Sequence, residues 1–283
     1  MSETKSDYYG GGHGPDPRKM RRSRVLAKIR AGGVAGCSKT NLNDQRVIEI
    51  MGMAGIDCLW LCSEHVPVNY ADLECMVRAA KLYDMDTVLR VPRGSYTDYI
   101  RGFEMDAAGI MVPHIMSYQD ACDVVRMTKF PPVGRRALDG GNIDGGFCRY
   151  KLEDYLRDSN SERWVVYQIE DPEVLPDLER IAELPGVDML LFGPGDFSLA
   201  IGKPGQIFDP EVDKVRRRVA EVARKAGKIA GTVSSFEKLP YMVDLGYNFV
   251  NVGADVLALN DYFDKVAATF AASPKAKCPP ATN

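Results

Sequence analysis

The sequence predicts an α/β fold, a single (β/α)8 TIM barrel. Eight short apolar runs recur along the 283 residues, and stretches with helical periodicity separate them. That alternation is expected of a parallel sheet covered by helices. One barrel domain needs about 250 residues, so the length and the number of runs both favour one closed barrel.

The predicted strands are short, apolar and rich in branched residues. In chain order they are VAGCS from Val34, DCLWLC from Asp57, DTVLRV from Asp86, GIMVP from Gly109, WVVYQIE from Trp164, VDMLLFG from Val187, KIAGTV from Lys228 and NFVNVG from Asn248. The carboxyl ends of strands in a barrel meet at one rim, where catalytic residues lie.

Four of the intervening helices carry N-terminal signals. An N-cap carboxylate before a proline, or a capping box, marks the first turn of a helix. The four signals are Asp171-Pro172, Asp209-Pro210, Ser117-x-x-Asp120 and Ser234-x-x-Glu237. We therefore expect a helix to begin at each.

The longest predicted helix follows Asp209 and is amphipathic. Its apolar stripe consists of Val215, Val219, Val222, Ala223 and Ala226. The remaining surface is largely basic, with Arg216, Arg217, Arg218 and Lys225. This pattern predicts a solvated face, and a phosphate-binding role is the less favoured alternative.

The two ends of the chain are polar and flank the barrel. We assign residues 1–23 to an N-terminal arm, residues 24–272 to the barrel and residues 273–283 to a C-terminal tail. Residues 131–150 form one long irregular stretch with five glycines, and loops of that length are usually functional or mobile. The stretch follows the fourth helix, and the sequence does not indicate whether it lies at the active rim, the opposite rim or a subunit contact.

Composition indicates a small-molecule enzyme of the cytoplasm. The chain has 36 basic and 39 acidic residues and a net charge of -3, which gives no reason to expect nucleic acid or an anionic membrane as a partner. No apolar run approaches the roughly 20 residues that span a bilayer, and the N-terminus lacks the apolar stretch of a secretory signal. Seven cysteines without a CxxC pair indicate reduced thiols.

Polar residues stand at the carboxyl ends of several predicted strands, where barrel enzymes place their catalytic groups. Strand two ends in Cys62-Ser63-Glu64-His65, strand three in Arg90, strand five in Gln168 and Glu170, and strand six in Gly193-Pro194-Gly195-Asp196. The sequence therefore predicts a site at this rim.

Glu170 and Asp196 predict a metal site. They are carboxylates at the ends of adjacent strands, and their mutual repulsion is unfavourable unless a cation or a proton lies between them. Two carboxylates together with water and substrate oxygens form a typical ligand set for Mg2+ or Mn2+. In the alternative, Glu170 pairs with an arginine and Asp196 caps a turn, which explains each residue separately but not the pair.

Two glycines and an arginine predict an anionic substrate. Gly193 and Gly195 allow backbone N–H groups to face the site and bind a carboxylate or phosphate, although an ordinary tight turn has the same composition. Arg90 can stabilise an oxyanion, or it can pair structurally with Glu170. The spacing alone leaves these alternatives open.

His65 ends a strand beside Glu64, a position that favours a general base or proton carrier over a purely structural histidine. Cys62 is interpreted as a small buried residue, because no cation near it in the sequence would favour a thiolate. No lysine stands at a predicted strand end in the pattern that a Schiff-base aldolase needs.

From about residue 24 to residue 270 the chain resembles the HpcH/HpaI family of class II, metal-dependent 2-oxo acid aldolases, which includes 4-hydroxy-2-oxoheptanedioate and 2-dehydro-3-deoxyglucarate aldolases. The matching segments are AGIDCLWLCSEHVPVN, VLRVPRGSY, GIMVPHIMSYQDA, KFPPVGRRAL, YQIEDPEVLPDLERIAELPGVDMLLFGPGDFSLAIG and GYNFVNVGADVLAL. The combination of QxE at one strand end with GPxDxSxxxG at the next is more specific than either motif.

The resemblance implies how the site is built. Glu170 and Asp196 would hold Mg2+ or Mn2+, with Co2+ as a further option. The backbone from Gly193 through Gly195 to Asp196 would receive the pyruvate carboxylate. The small-molecule partners would be a 2-oxo acid and an aldehyde.

The same resemblance implies a mechanism. A 4-hydroxy-2-oxo acid would be cleaved to pyruvate and an aldehyde through a metal-bound pyruvate enolate. Arg90 would stabilise the enolate oxygen, His65 or a metal-bound hydroxide would accept the proton, and Gln168 would contact substrate or support the metal. Family members are typically oligomers that exchange the last helix, so we expect a homo-oligomer, a hexamer or a trimer, that exchanges residues 254–271.

Two segments depart from the family pattern. These aldolases usually read DxEH where this chain has Cys62 in place of the aspartate, so the carboxylate that would orient and charge His65 is missing. After Arg90, FEMDAAG replaces a DxGAxG-like run. There Glu104 is expected to substitute for an aspartate that reaches a neighbouring subunit's site, and Asp106 stands where glycine is common.

The missing aspartate leaves two other functions open. One is an oxaloacetate decarboxylase or a carbon–carbon lyase resembling macrophomate synthase, which would act through the same enolate. The other is a non-catalytic homologue that binds a 2-oxo acid without turning it over.

Overall fold

The computed structural model describes residues 19–272 and contains a closed barrel of eight parallel strands. Each strand pairs with its neighbours in chain order, and β8 pairs with β1 to close the barrel. All eight predicted runs form strands, which confirms the predicted fold. They are β1 (Ala35–Lys39), β2 (Cys58–Cys62), β3 (Asp86–Arg90), β4 (Gly109–Val112), β5 (Trp164–Ile169), β6 (Met189–Phe192), β7 (Ile229–Ser234) and β8 (Phe249–Ala254).

Helices precede the first strand and follow every strand. Within residues 19–272 they are α1 (Arg24–Arg30), α2 (Gln45–Met53), α3 (Tyr70–Lys81), α4 (Tyr96–Glu104), α5 (Tyr118–Thr128), α6 (Leu152–Glu162), α7 (Leu178–Glu183), α8 (Pro194–Ala200), α9 (Pro210–Lys225), α10 (Leu239–Asp244) and α11 (Asp255–Ala271). In the same part of the chain, no helix is both long and apolar enough to cross a membrane.

The apolar core has two layers because the strands are buried on both faces. Leu59 and Leu61 of β2 pack towards the helices, whereas Trp60 of the same strand packs inside the barrel. Inside, the rings of Trp164 and Phe249 meet edge to face at 5.8 Å. Gly109 makes room for this contact, since a Cβ at that position would lie 2.3 Å from the Trp164 ring.

Residues just before α1 close the amino end of the barrel. Asp86, at the start of β3, is fully buried. Its carboxylate accepts hydrogen bonds from Ser23 Oγ at 2.6 Å and Val25 N at 2.9 Å, and it pairs with Arg21. Part of the predicted arm therefore lies on the barrel floor, while residues 1–18 and 273–283 fall outside the described residues.

The predicted helix starts are borne out in part. Ser117 caps α5 and Asp209 caps α9, each through its side chain. Asp171 opens a 3-10 helix, Pro172–Asp177, without a side-chain cap. The expectation at Ser234 was wrong, because that residue ends β7 and α10 begins only after Lys238.

The prediction of a solvated basic face on α9 was wrong for Arg216. Its side chain is fully buried, ion-paired with Asp213 at 2.6 Å and hydrogen-bonded to the carbonyl of Ile207. The guanidinium also lies over the rings of Phe192 and Phe208. Burial of a charged side chain is tolerated here because it is paired and hydrogen-bonded.

The irregular stretch 131–150 packs against α4 and α6. Arg136 and Asp144 form a buried ion pair at 2.8 Å, and the Tyr155 hydroxyl donates to Asp144 at 2.6 Å. The Arg136 guanidinium lies over the rings of Phe103 and Phe130. The contacts of Arg136 and Asp144 therefore hold residues 131–150 against α4 and α6.

Candidate active site

The carboxyl ends of β2 to β6 bring every predicted site residue to one rim. Within it, Arg90 at the end of β3 is 2.9 Å from Glu64, which follows β2. Gln168 and Glu170 lie at the end of β5, and Gln168 Nε2 donates a hydrogen bond to Glu170 Oε2. Asp196, in the first turn of α8, lies near enough to act on the charge of Glu170. Parallel strands place these groups at one end of the barrel regardless of their separation in sequence.

Glu170 is the most buried carboxylate of the rim, with 1% of its surface exposed. Burial raises its pKa to about 7, and the negative charge of Asp196 adds to the rise. The backbone N–H and ring of His114, and the charge of Arg90, act in the opposite direction. A cation beside Glu170 would remove much of this cost, because it stabilises the ionised carboxylate.

Gly193 is required by the position of Glu170. A Cβ on Gly193 would lie 2.8 Å from Glu170 Oε2 and 3.2 Å from Gln168 Nε2. Gly195, in contrast, is exposed and would meet nothing within 4 Å. Its N–H and that of Asp196 belong to the first turn of α8, where backbone donors have no intrahelical acceptor.

Gln168 leaves one polar atom without a partner. Its side chain is 3% exposed, and its Oε1 accepts no hydrogen bond from residues 19–272. A buried acceptor of this kind needs a donor such as water or a substrate hydroxyl. The unpaired oxygen, on a side chain that contacts the buried carboxylate of Glu170, fits a site that binds an ion with its water or substrate ligands.

His114 belongs to the rim and was missed by the sequence analysis. It follows β4 with a positive φ of 52°, and its N–H donates to Glu170 Oε1 at 3.1 Å. Its Nδ1 lies 3.0 Å from Asp171 Oδ2 and its Nε2 lies 3.7 Å from Glu64 Oε1. The available signal was its position directly after the strand-ending Val-Pro of GIMVPH.

Burial opposes the charged form of His114, but its acidic neighbours outweigh that effect. The hydrogen bond to Asp171 and the charges of Glu170, Asp171 and Glu64 raise the pKa of His114 above its ordinary value. Ligand atoms of His114, Glu170 and Asp171 also lie within 4.8 Å of one another. These three residues therefore form a second ligand set that shares Glu170 with the predicted pair.

Arg90 is held by three neighbours on β2 and after it. Its Nε is 2.9 Å from Glu64 Oε2, yet its N–H groups point at Cys62 Sγ, from which Nε and Nη2 lie 3.4 and 3.3 Å away. The guanidinium carbon is 5.1 Å from the centroid of the Trp60 ring. Arg90 thus pairs with Glu64 rather than Glu170. Cys62 is buried, as its interpretation as a small buried residue predicts, and the cation beside its thiol comes from the next strand.

His65 lies at the outer part of the rim. Its side chain is 58% exposed, and its Nε2 is 3.6 Å from Glu64 Oε2. Its N–H donates to Cys62 Sγ at 3.4 Å. Glu64 therefore lies between His65 and Arg90 and is the nearest carboxylate to each.

Lys39 was also missed. The predicted first strand stops at Ser38, whereas β1 extends to Lys39, so a lysine does stand at a strand end. Its Nζ is 6.0 Å from the centroid of the Trp60 ring. The barrel mouth therefore carries two cations, Lys39 and Arg90, above one indole.

A closed (β/α)8 barrel with carboxylates, an arginine and an amide at the carboxyl ends of its strands defines a barrel enzyme that works at this rim. The sequence profile of the HpcH/HpaI aldolase/citrate lyase family matches residues 40–261, and the chain belongs to that family. Together with the aldolase relatives, this membership makes the chain a carbon–carbon lyase of the aldolase class.

Comparisons with individual proteins agree with the family. The chain is 29% identical over 226 residues to 2-keto-3-deoxy-L-rhamnonate aldolase of Klebsiella pneumoniae subsp. pneumoniae, which covers 78% of this chain and 83% of the relative. The HpcH/HpaI aldolase structure from Desulfitobacterium hafniense superposes with a TM-score of 0.84 at 26% identity, and the match covers 88% of this chain and 97% of that one. Macrophomate synthase has a TM-score of 0.80 at 19% identity over 98% of this chain and all of its own, which shows a shared fold.

Proposed function

We propose that the protein cleaves a 4-hydroxy-2-oxo acid to pyruvate and an aldehyde, with Mg2+ or Mn2+ held by Glu170 and Asp196 and Co2+ as a further option. The observation that carries the proposal is the fully buried Glu170, whose pKa is raised to about 7 by burial and then by Asp196. Such a pair of carboxylates is suited to a hard divalent cation. The unpaired Gln168 Oε1 supports the same interpretation, because it offers an acceptor to a water or hydroxyl of the bound ligands.

When bound, the divalent ion supplies Lewis-acid polarisation of the 2-oxo group. The chain's own residues supply the rest. The Arg90 guanidinium, fixed by Glu64, Cys62 and Trp60, stabilises negative charge on the oxygen of the developing enolate. The backbone of Gly193, Gly195 and Asp196 binds the substrate carboxylate.

His65 accepts the proton of the 4-hydroxyl group. The C3–C4 bond then breaks, its electron pair forms the pyruvate enolate, and the aldehyde is released. A proton returned to C3 completes pyruvate. Glu64, at 3.6 Å, is the carboxylate that supports the imidazole in place of the missing aspartate.

A pyruvate-release assay over a panel of 4-hydroxy-2-oxo acids, with Mg2+, Mn2+ and Co2+ compared, tests the proposed reaction. Release that depends on the divalent ion and on the 4-hydroxyl supports it. Release from none of the panel contradicts it.

Matched variants test which ligand set binds the metal, Glu170 with Asp196 or Glu170 with His114 and Asp171. Asp196→Asn is expected to abolish metal binding, whereas Asp171→Asn is expected to weaken it by less than about threefold. The opposite ranking, with Asp171→Asn the damaging change, would instead support the set of His114, Glu170 and Asp171.

The presence of Cys62 favours a second candidate reaction, the decarboxylation of oxaloacetate. Decarboxylation of oxaloacetate by the same enolate route requires no base for a 4-hydroxyl proton, so it tolerates a thiol at this position. Including oxaloacetate in the panel decides between the two reactions. A non-catalytic homologue would bind pyruvate or oxalate and release nothing from any substrate.

We also propose a homo-oligomer, a hexamer or a trimer, in which α11 is exchanged between subunits. Most of α11 is exposed although it carries large apolar side chains, namely Leu257, Leu259, Tyr262, Phe263 and Phe270. A cytoplasmic location is part of the proposal as well. It is supported by the free thiols of the six cysteines within residues 19–272.

A further inference from the structure

The proposed reaction needs two proton transfers, and the site residues described so far account for one of them. His65 accepts the proton of the 4-hydroxyl group, but carbon C3 of the pyruvate enolate must gain a proton as well. The enolate oxygen and C3 are both bonded to C2, so a donor to C3 must lie beside the group that stabilises the oxygen. In the proposed function that group is Arg90.

Lys39 carries an ammonium group beside Arg90. It ends β1, and its Nζ is 6.0 Å from the centroid of the Trp60 ring, while the guanidinium carbon of Arg90 is 5.1 Å from the same centroid. Lys39 and Trp60 are also paired in register on β1 and β2. The two cations therefore share one aromatic ring at the carboxyl rim of the barrel.

The protons of Lys39 are not committed to any protein group. Within residues 19–272 its Nζ makes no ion pair and no hydrogen bond. The nearby carboxylate of Asp255 instead accepts hydrogen bonds from the backbone N–H groups of Asn41 and Leu42, at 2.8 and 2.9 Å. A substrate carbon at the rim would therefore not compete with a protein acceptor for the ammonium.

The other titratable groups near Arg90 already have partners. Glu64 lies 2.9 Å from the Nε of Arg90, and the Sγ of Cys62 accepts two N–H groups of the same guanidinium. The ring nitrogens of His114 face carboxylates, Asp171 at 3.0 Å and Glu64 at 3.7 Å. The amine on β1 is thus the donor beside Arg90 that is free to act on a substrate.

The surroundings of Lys39 also favour release of its proton. Burial and then the charge of Arg90 lower the pKa of Lys39, while Cys62, Asp255 and Glu64 act in the opposite direction. A lysine with a lowered pKa transfers a proton near neutral pH more readily than an ordinary lysine does. Its side chain is half-buried at the open mouth, so the amine can regain a proton from solvent.

We propose that Lys39 is the proton donor to C3 of the pyruvate enolate, an inference that rests on the proposed function. The electron pair of the enolate forms the new C3–H bond, and the oxygen on C2 returns to a carbonyl. Lys39 is left as a neutral amine and takes a proton from water. In the reverse direction the neutral amine removes a proton from the methyl group of pyruvate.

The reverse step gives the main test, because it exchanges the methyl protons of pyruvate with solvent deuterium. Exchange is followed by NMR with Mg2+ present in the wild-type protein, K39M, K39R and K225M. K39M and K39R are both expected to slow exchange by at least about 100-fold, since arginine keeps the charge but does not release a proton. K225M, which removes an exposed lysine paired with Glu221, should exchange at the wild-type rate.

Wild-type exchange in K39R would show that Lys39 supplies charge alone and would overturn the proposal. Calorimetric titration of pyruvate with Mg2+ should show that K39R and K39A bind within about threefold of the wild-type protein. Added methylamine should restore exchange in K39A. Losses of pyruvate binding that match the losses of exchange, or intact binding without rescue by the amine, would also overturn it.

A metal-free measurement reports on Lys39 itself. Competitive acetylation across a range of pH, read by peptide mass spectrometry, follows the titration of Lys39 and of Lys225 in the same sample. Lys39 is expected to titrate at the lower pH. A midpoint equal to or above that of Lys225 would contradict the role of Lys39 as a proton carrier.

Failure of the proposed function has a different result from failure of this inference. A wild-type protein that exchanges the methyl protons through Lys39, yet releases pyruvate from no 4-hydroxy-2-oxo acid, would refute the cleavage reaction and support the proton carrier. A wild-type protein that releases pyruvate but does not exchange its methyl protons would support the cleavage reaction and overturn the role of Lys39.

Discussion

At the scale of single residues, the burial of Glu170 decides the chemistry of the rim. An ionised carboxylate that is 1% exposed beside a second acid is unfavourable without a positive partner. The strand ends place Arg90 nearby, but that arginine is already paired with Glu64 at 2.9 Å. Burial still raises the pKa of Glu170 to about 7 although His114 and Arg90 oppose the rise, and this cost is the basis of the proposed metal site.

Glu170→Gln is expected to weaken Mn2+ binding by at least about 100-fold, because a carboxylate ligand becomes a neutral amide. Binding is measured by calorimetric titration, and pyruvate binding in the presence of Mn2+ should weaken in parallel. Glu183→Gln, at an exposed position at the end of α7, serves as the control. Unchanged affinity in Glu170→Gln would refute the proposed metal site.

Cys62→Asp is expected to raise kcat for aldol cleavage by about tenfold, since a carboxylate there would support His65 and improve proton transfer. The same carboxylate would accept the N–H groups of Arg90 that now point at the thiol. The rate is measured against pH, with Cys75→Asp on α3 as the control. A flat or lower kcat would show that the missing aspartate does not limit the reaction.

Glu170, Asp196 and Arg90 were predicted because they stand at or just after the ends of apolar runs. Lys39 was missed because β1 runs one residue further than its apolar pattern. His114 directly follows the predicted run GIMVP, so its place at a strand end was readable from the sequence. The partners of Arg90 were also beyond the sequence, because they depend on which side chains β2 turns inward.

At the scale of elements, the turn between α4 and β4 shows how one residue can replace a glycine. Asp106 adopts a φ of 68°, in the left-handed region that aspartate tolerates better than most residues. Its carboxylate pairs with Arg163 at 2.6 Å and with Lys81. The aspartate found where the family favours glycine therefore joins α3, α4 and the start of β5.

Asp106→Asn is expected to lower the free energy of unfolding by about 3 kcal/mol at pH 7, because Arg163 and Lys81 lose their buried partner while the backbone is accommodated. Urea denaturation measures the change. The control is Asp84→Asn, which alters a second aspartate of positive φ whose side chain is 71% exposed; it should change stability by less than about 0.5 kcal/mol.

The effect of Asp106→Asn on the free energy of unfolding is expected to depend on pH. Burial raises the pKa of Asp106, but the charges of Arg163 and Lys81 hold it below its ordinary value. Its stabilisation is therefore complete above the unfolded pKa of about 4 and is lost as the pH falls further. The difference in free energy of unfolding between wild type and Asp106→Asn should therefore become smaller below about pH 4. A difference that does not change with pH would contradict a stabilising role for the ionised Asp106.

Strand positions and the main helix could be read from the sequence, whereas the environment of individual helix residues could not. The period of α9 placed Val215 and Val219 correctly on the buried side. Arg216 lies beside that stripe, and only the packing of Phe208 and Asp213 around it explains its burial. Hydrophobic periodicity predicts which side of a helix is buried. Whether a long side chain beside that side is buried as well depends on its tertiary neighbours.

At the scale of the whole molecule, α11 extends its apolar surface away from the barrel it follows. Its main contact within the chain is with β8. Five large apolar side chains on one exposed helix exceed the scattered exposure usual on a monomer. Such a surface is typical of an interface between chains.

The double variant Tyr262→Glu and Phe263→Glu is expected to convert the oligomer to monomers at micromolar concentration, because two charges would enter an apolar contact. Sedimentation velocity measures the assembly. Leu82→Glu, at an isolated leucine that is 76% exposed, should leave the assembly intact. A wild-type protein that sediments as a monomer would remove the basis of the proposal.

The closed floor at Asp86 means that substrate enters and both products leave through one mouth. In the proposed reaction, pyruvate held at the buried Glu170 would lie behind the aldehyde on the way out, so the aldehyde would depart first. The order of product release predicts the type of inhibition by each product. Pyruvate, released last, should compete with substrate for the free enzyme, and the aldehyde should inhibit noncompetitively. Steady-state inhibition patterns report the order of product release. Competitive inhibition by the aldehyde alone would mean that pyruvate leaves first.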